Sequence, residues 1–581
     1  KHKDAQGNEV EEYFGGHYQL MLDLEFTADD FAPTGNFYNE GRLFEPIVGP
    51  NGELFSGIID GGGHTIKGLK IRASGTDDDK KYVGLFSETE LYAFDYIQYE
   101  GTPDEEEIHV ESRPAFKNIT FENLEVLGDS AKTHHVGGIV GRAEDTDFDG
   151  VKLKGATVKN AILSAGGLAG YADGSTAKNC QVINSQIATN NTRNNDISHA
   201  GGIAGRFSGT IGDTASAPGA YDIVVKNTNV TGNYGAGGIV GLAGRIGSSD
   251  LKAPANHEVP LVLSHAKVEG GKIEALRDET IRYHYGAGGL LGAGRFENTD
   301  TVTIDILYSK VDGPQIIGGA VAGGALGMAG AEVHTGKGTA SAVNDVKITI
   351  DTVWVNADIR SAEPDGALPG KPSAAGGLVG HVRNAQLLKI RNVATAGEVR
   401  SSLNLGGLLG YGENNGTLNS TFTNEPKQSM VINAVIGTKI IPTRSTNMYF
   451  GLLMGDASGI LTSATPFAYD PFVNIKFSSF VYPMGGAHSN SPTANRPAGN
   501  NVTGDSTTHG YTVLTNQIKD LNKGLYEGDF DETYAGLLFH TGAQTVNTLI
   551  LGNDAIELNM EKPIIPGSYS IKATGDYTDF E

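Results

Sequence analysis

The chain has 581 residues, 81 of them glycine and one cysteine, and 44 Lys and Arg against 68 Asp and Glu leave a formal charge of −24. That surplus repels nucleic-acid phosphates and anionic lipid heads, a lone cysteine excludes an intrachain disulfide framework or a zinc ribbon, and no run approaches the roughly 20 apolar residues of a membrane span. Nucleic-acid binding and membrane insertion are therefore not expected, and the absence of a Gly-X-Y period excludes collagen.

The first ten residues, KHKDAQGNEV, do not read as a signal peptide, so export has to be inferred from other features. Residues 18–26 (YQLMLDLEF) alternate as one strand, and residues 55–71 (FSGIIDGGGHTIKGLKI) read as two more around Asp60-Gly61-Gly62-Gly63. From there an apolar glycine cassette dominates. Its full form, Gly-Gly-aliphatic-small/aliphatic-Gly, stands at 137–141, 166–170, 201–205, 237–241, 288–292, 376–380 and 406–410, in steps of 29, 35, 36, 51, 88 and 30 residues. Degenerate copies fall at 318–324 (GGAVAGG) and 449–455 (YFGLLMG), with an incomplete one at 82–86 (YVGLF). A unit of this size cannot bury its own apolar face and must stack on its neighbours, which makes the chain a solenoid.

Between cassettes the sequence alternates Val, Ile, Thr and Leu with polar residues, broken by Asn and Gly, as in FKNITFENLEVLG (116–128) and KNCQVINSQIA (178–188). Short strands without hairpin dipeptides between successive pairs predict an all-β, right-handed parallel β-helix with two or three strands per turn. In that reading the paired glycines allow positive φ at a corner and close approach of adjacent turns, while Ile139 and Val140, or Leu408 and Leu409, pack inward. Cys180 reads as a buried, inert thiol, and Trp354 as a strand residue packed in the core or sheet.

YQLMLDLEF, FSGIIDGGGHTIKGLKI, YVGLF and FKNITFENLEV, followed by serial GGIVG and GGLAG blocks, resemble the GLUG-motif β-helix regions of bacterial surface proteins and of the N-terminal parts of bacterial immunoglobulin A peptidases. The resemblance covers roughly residues 18–455. It implies an extracellular stalk, adhesive surface or appendage to an enzyme, and defines no ligand-binding residue. Excursions are expected at 92–114, 209–221, 250–285 and 330–373, leaving on the face where binding happens. The expected division is a β-helix with its N-terminal cap over 1–460 and a C-terminal cap or small β module over 461–581, which holds a flexible polar stretch at 485–510, a short helix at 511–524 and strands within 545–572.

Three sets of residues carry chemistry. Asp145, Asp147 and Asp149 with Gly150 match the opening of a calcium loop, but Ala156 stands where an EF-hand has its bidentate acid, so a calcium-binding turn completed by backbone carbonyls and a solvated acidic turn both remain open. Asp77, Asp78 and Asp79, and Glu527 with Asp529, Asp531 and Glu532, are weaker copies. Arg142, Arg206, Arg245, Arg295 and Arg383 follow cassettes, either as a basic stripe that grips carboxylates or sulfates of a polysaccharide or as salt bridges between turns. Tyr283, His284 and Tyr285, with Tyr171 and Tyr411 directly after cassettes, offer rings for sugar stacking, or for packing against a loop.

No HExxH or GxSxG in a strand-to-helix setting occurs, so peptidase activity is not expected of this chain. The functional expectation is a non-catalytic, extracellular or cell-surface bacterial β-helix that presents loops to a glycan, a host surface protein or its own neighbours. A β-helix polysaccharide lyase or glycoside hydrolase, and a filament-forming subunit, are the alternatives.

Overall fold

The computed structural model describes residues 15–41, 43–49, 53–73, 81–98, 106–190, 198–216, 220–244, 259–276, 286–296, 302–331, 346–361, 373–383, 387–413, 430–436, 438–443, 449–451 and 454–456, together with the strand pieces 2–3, 9–10, 468–469, 475–477, 547–551, 554–558 and 573–574. Apart from two short 3-10 turns, the described elements are all strands, and all but three small antiparallel sheets build a parallel β-helix.

One coil holds five short strands. In the second coil these are Ala115–Lys117, Thr120–Glu122, Glu125–Leu127, His135–Gly137 and Val140–Glu144. Each pairs in parallel with its counterpart one coil away, so Phe121 sits between Ile66 and Leu153, and Val126 between Ile71 and Val158. The fourth strands alone form a ten-stranded parallel sheet among the described residues: Tyr82–Val83, His135–Gly137, Ser164–Gly166, His199–Gly201, Gly235–Gly237, Gly286–Gly288, Val321–Gly323, Ala374–Gly376, Asn404–Gly406 and Tyr449–Gly451, which number coils 1 to 10. The other four positions merge into one large sheet, because strands such as Ala169–Lys178 and Val302–Gly318 run round a bend from one position into the next.

Alternation explains the core. The third-strand column Ile71, Val126, Val158, Ile187, Val230, Ile273, Ile316 and Ile359 points inward and is buried throughout. Each such aliphatic contributes roughly 1.5–3 kcal/mol by leaving water. Aromatic rings fill the first coils, with Phe55 and Phe86 centroids 4.5 Å apart and Phe116 stacked on Phe148 at 5.7 Å. The inward columns run out at the N-terminal end, where Tyr18 and Leu24 continue the Phe116 and Phe121 columns but stay 52% and 37% exposed, beside exposed Met21 and Leu22. Trp354 is fully buried in its strand, with the Lys310 ammonium 4.5 Å from its ring centroid, and Cys180 is a buried thiol that desolvation pushes up to about 12.

Several expectations change. The run 18–26 forms two strand pieces, His17–Gln19 and Leu24–Glu25, and the runs 116–128 and 178–188 are each divided among three strands. The breaks are corners in the left-handed region: Asn118, Gly150, Asn179, Gly212 and Asn392 after first strands, with His265, Tyr308 and Thr352 holding the same hand in coils 6 to 8, and Gly68, Asn123, Gly155, Asn184, Asn227 and Gly270 after second strands. Asn and Gly tolerate that conformation where other side chains clash. The cassette at 318–324 lies five residues later, as Gly323-Gly324-Ala325-Leu326-Gly327. The expected excursions 250–285 and 330–373 each contain part of a coil, with strands at Val259–Ser264, Ala266–Glu269 and Lys272–Ala275, and at Val346–Ser361. Residues 92–112 leave coil 1 as an antiparallel hairpin, Tyr92–Gln98 against Glu106–Ser112. Of the C-terminal region, Asn547–Leu551 and Asp554–Leu558 pair antiparallel, while 485–510 and 511–524 lie outside the described residues.

Candidate functional site

The cassette is the tip of an arch. The fourth strand runs into the body, turns at the second glycine and returns as the fifth strand, so the two lie back to back. A Cβ on Gly137 would sit 2.0 Å from the Val140 carbonyl oxygen, one on Gly138 2.2 Å from the Gly167 carbonyl oxygen of the next coil, and one on Gly141 2.4 Å from the Val83 nitrogen of the previous coil. These distances leave no room for any side chain. None of the described cassette glycines has positive φ, so the expectation of a left-handed cassette corner is corrected: closeness alone selects glycine here, and the left-handed corners lie at the bends after first and second strands, most of them Asn or Gly.

Where the arch opens outward, its two strands border a seam that runs the length of the stack. On the fourth-strand side Tyr82, His135, Ser164 and His199 are in register on coils 1 to 4. On the fifth-strand side the column reads Glu88, Arg142, Tyr171, Arg206, Leu242, Ala293, Met328, His381 and Tyr411. Arg142 and Arg206 thus share one column, separated by Tyr171.

In coils 1 to 4 the seam is packed shut by polar groups. Arg142 pairs with Glu88 at 3.0 Å and with Glu144, and its guanidinium lies 5.7 Å from the Tyr82 ring centroid. Burial opposes its charge, but the two carboxylates hold it on. His135 lies between the rings of Tyr82 and Tyr171, each 5.5 Å away, and shares a short hydrogen bond through Nδ1 with the Ser164 hydroxyl. Desolvation, with the Arg206, His134 and Arg142 charges, holds its ring well below the usual histidine range, so it is neutral. Arg206 and His199 are likewise buried. His135, Ser164 and His199 were missed by sequence reading, although each stands two residues before a cassette, where a recurring polar residue is the available signal.

The seam has two lips. One is the connection from third to fourth strand and the other the connection from fifth to the next first strand. Arg295 and Arg383 lie on the fifth strands Leu291–Phe296 and Val379–Arg383, in one backbone column with Gly330 between them and Glu413 after Arg383. They stand two positions further along the strand than the Arg142 column, so the stripe is two staggered columns. Tyr283, His284 and Tyr285 immediately precede strand Gly286–Gly288 and lie, with Arg245, outside the described residues. So do Asp77, Asp78 and Asp79, and Glu527, Asp529, Asp531 and Glu532.

The acidic turn sits at the next bend. Arg113 donates from Nε to Asp147 at 3.0 Å, lies 3.7 Å from Asp145, and also donates to the Gly174 carbonyl at 2.6 Å. Thr176 donates to Asp147 at 2.7 Å and Asn179 to Asp149 at 2.8 Å. Burial pushes the Asp145 carboxyl up, against the pull of Arg113. Among the described residues no three His, Cys, Asp or Glu side chains are grouped to hold a metal ion.

Comparison with known proteins adds two findings. Over 136 residues the chain is 32% identical to halomucin from Haloquadratum walsbyi, a match that covers 22% of this chain and 1% of halomucin. A crystal structure from Bacteroides ovatus, described as a candidate immunoglobulin A1 protease, aligns with 58% of this chain and 78% of its own at 16% identity and a TM-score of 0.27. No protein-family profile matches the chain. Among the described residues no helix is long and apolar enough to cross a membrane.

Proposed function

We propose that this chain is a non-catalytic, exported bacterial β-helix that acts as an adhesive or structural element and presents the lips of its seam to an outside partner. One observation carries the reading: Arg142 in the seam is taken up by Glu88 of the previous coil and by Glu144, and Arg113 at the acidic turn by Asp147, so these charges tie the scaffold to itself. Side chains consumed by their own scaffold support a structural body whose variable parts are its connections. The partial likeness to a protein named as a mucin supports placement outside the cell.

Incubation of the full chain with acidic and neutral polysaccharides tests the reading. Retention on one of them without new reducing ends or unsaturated uronate absorbance is expected; turnover would replace it with the lyase or hydrolase alternative. Calcium at Asp145, Asp147 and Asp149 would have to displace Arg113, and a melting temperature that rises with calcium would establish such a site. End-to-end association is favoured by the open core columns at Tyr18 and Leu24, and light scattering over a concentration series reads it directly.

A further inference from the structure

The stack ends unevenly on its N-terminal side. Before coil 1 the chain lays down a partial coil, in which His17–Gln19 pairs with Ile58–Asp60 and Leu24–Glu25 with Ile66 and Lys67. Phe44, Ile47 and Phe55 reach Ile71, Phe86 and Thr89 through single bridges. On the third-strand side this end is closed. The 3-10 turns Asp29–Phe31 and Asn39–Gly41 gather Phe26, Phe31, Phe37 and Phe44 into one group, with Phe37 5.2 Å from Phe26 and 6.0 Å from Phe44 between centroids, and the Lys70 ammonium stands 5.8 Å from the Phe31 centroid.

On the first- and second-strand side the end is bare. Among the described residues His17–Gln19 and Leu24–Glu25 have a paired strand on one side only, and the preceding strand pieces, His2–Lys3 and Glu9–Val10, pair with each other. An edge of this kind is a template for a further strand. Apolar side chains collect beside it: Met21, Leu22 and Val48 are 74%, 59% and 64% exposed and join Tyr18 and Leu24, and among the described residues no other large apolar side chain is as open to solvent. An apolar patch gathered at an unpaired sheet edge marks a contact surface.

Charge selects what can approach it. A chain of −24 repels a second copy of itself except where its acids are already matched. Both acids of the run 17–26 are matched: Asp23 lies 3.0 Å from His64 Nδ1 and accepts the Thr65 N–H at 2.9 Å, and Glu25 takes the Lys67 ammonium at 2.7 Å. A two-fold axis sets a strand antiparallel to its own copy, so the bare edge can pair with the same edge of a second chain. Such a contact needs this one surface, which both copies own, and it closes at two.

Resting on the structural-element reading above, we propose that two copies of the chain join N-terminal end to N-terminal end, with His17–Gln19 pairing antiparallel across the two-fold and Tyr18, Met21, Leu22, Leu24 and Val48 covered in the contact. The joined stacks present two sets of seam connections on one body, which raises avidity for a partner that repeats its own binding groups.

Light scattering of the full chain over a concentration series tests the proposal. The mass is expected to rise to twice that of one chain, to stop there, and to hold in high salt, because the contact is apolar and its acids are paired within each copy. Met21→Lys combined with Leu22→Lys, on side chains that lie mostly in solvent, should raise the dimer dissociation constant at least about a hundredfold and leave the β-sheet circular dichroism unchanged. Gln315→Lys, exposed on the third strand of coil 7, should leave the dimer as it was. A monomer at every concentration, growth that continues past two chains, or an undiminished dimer in the double variant overturns the proposal and leaves the structural-element reading standing. Turnover of a polysaccharide overturns that reading instead.

Discussion

Gly138 and Asn118 sit on the same coil and answer opposite demands, one for space and one for backbone hand. At cassette positions the limit is a carbonyl of the neighbouring coil: a Cβ on Gly202 would lie 2.1 Å from the Gly238 oxygen and 2.9 Å from Val225. Gly202→Ala is therefore expected to destabilise the chain by about 1–3 kcal/mol. At Gly313, φ is +76° and a Cβ would touch nothing within 4 Å, so Gly313→Asn should change stability by no more than about 0.5 kcal/mol. Chemical denaturation of the two variants checks both. Titration provides a second residue-scale prediction. Burial holds His135 and His265 below the usual histidine range, so below about pH 6.5 the unfolded chain binds protons that the folded chain refuses, and stability falls as pH drops. Each contributes a slope of at most about 1.4 kcal/mol per pH unit, and His135→Gln should flatten the dependence between pH 7 and 5. Glu269, held at about 2 by hydrogen bonds from Lys226 and Lys267, acts in a lower window: its contribution is present above about 4.5 and lost as pH falls towards 2. Melting curves across both windows separate the two.

At the scale of the strand and its connections, the parallel stack was legible because its signal repeats: apolar residues in period two, punctuated by Asn and Gly, admit few other folds. Strand length was not, because FKNITFENLEV reads as one alternating run until Asn118 and Asn123 are recognised as left-handed corners. The arch stayed hidden for a similar reason. Glycine's two uses, positive φ and absent volume, look identical in a sequence, and only the Gly137–Val140 and Gly141–Val83 approaches tell them apart. At the site, Arg142 and Arg206 were found, but not that Arg206 is buried and Arg142 half-buried, since the Glu88 and Tyr82 that engage Arg142 lie more than 50 residues earlier in the chain. The unequal connections yield their own prediction. Because coil 9 joins the same two strands with 402–403 that coil 8 joins with 362–373, replacing the longer excursion by a two-residue turn should leave the melting temperature within a few degrees. Unfolding of that variant would show that the excursion is part of the scaffold.

Across the whole molecule, stability is a sum over coils and their contacts with the coils on either side, not the property of one compact core. Charge obeys the same logic: outward columns place Glu25 beside Lys67, Glu122 beside Lys154 and Lys226 beside Glu269, each pair bridging neighbouring coils at 2.7, 3.1 and 2.5 Å. Such exposed pairs contribute little singly, and mainly keep the register of a strongly acidic chain. That outward column, Lys67, Glu122, Lys154, Ile183, Lys226, Glu269 and Asp312, holds one residue per coil and serves as a ruler for the entire account. Spin labels placed on Lys67 and, in separate samples, on Lys226, Glu269 and Asp312 should give distances that lengthen by about 4.8 Å with each added coil. Distances that fail to grow from Lys226 to Asp312 would contradict the coil stack, and with it the seam and its lips.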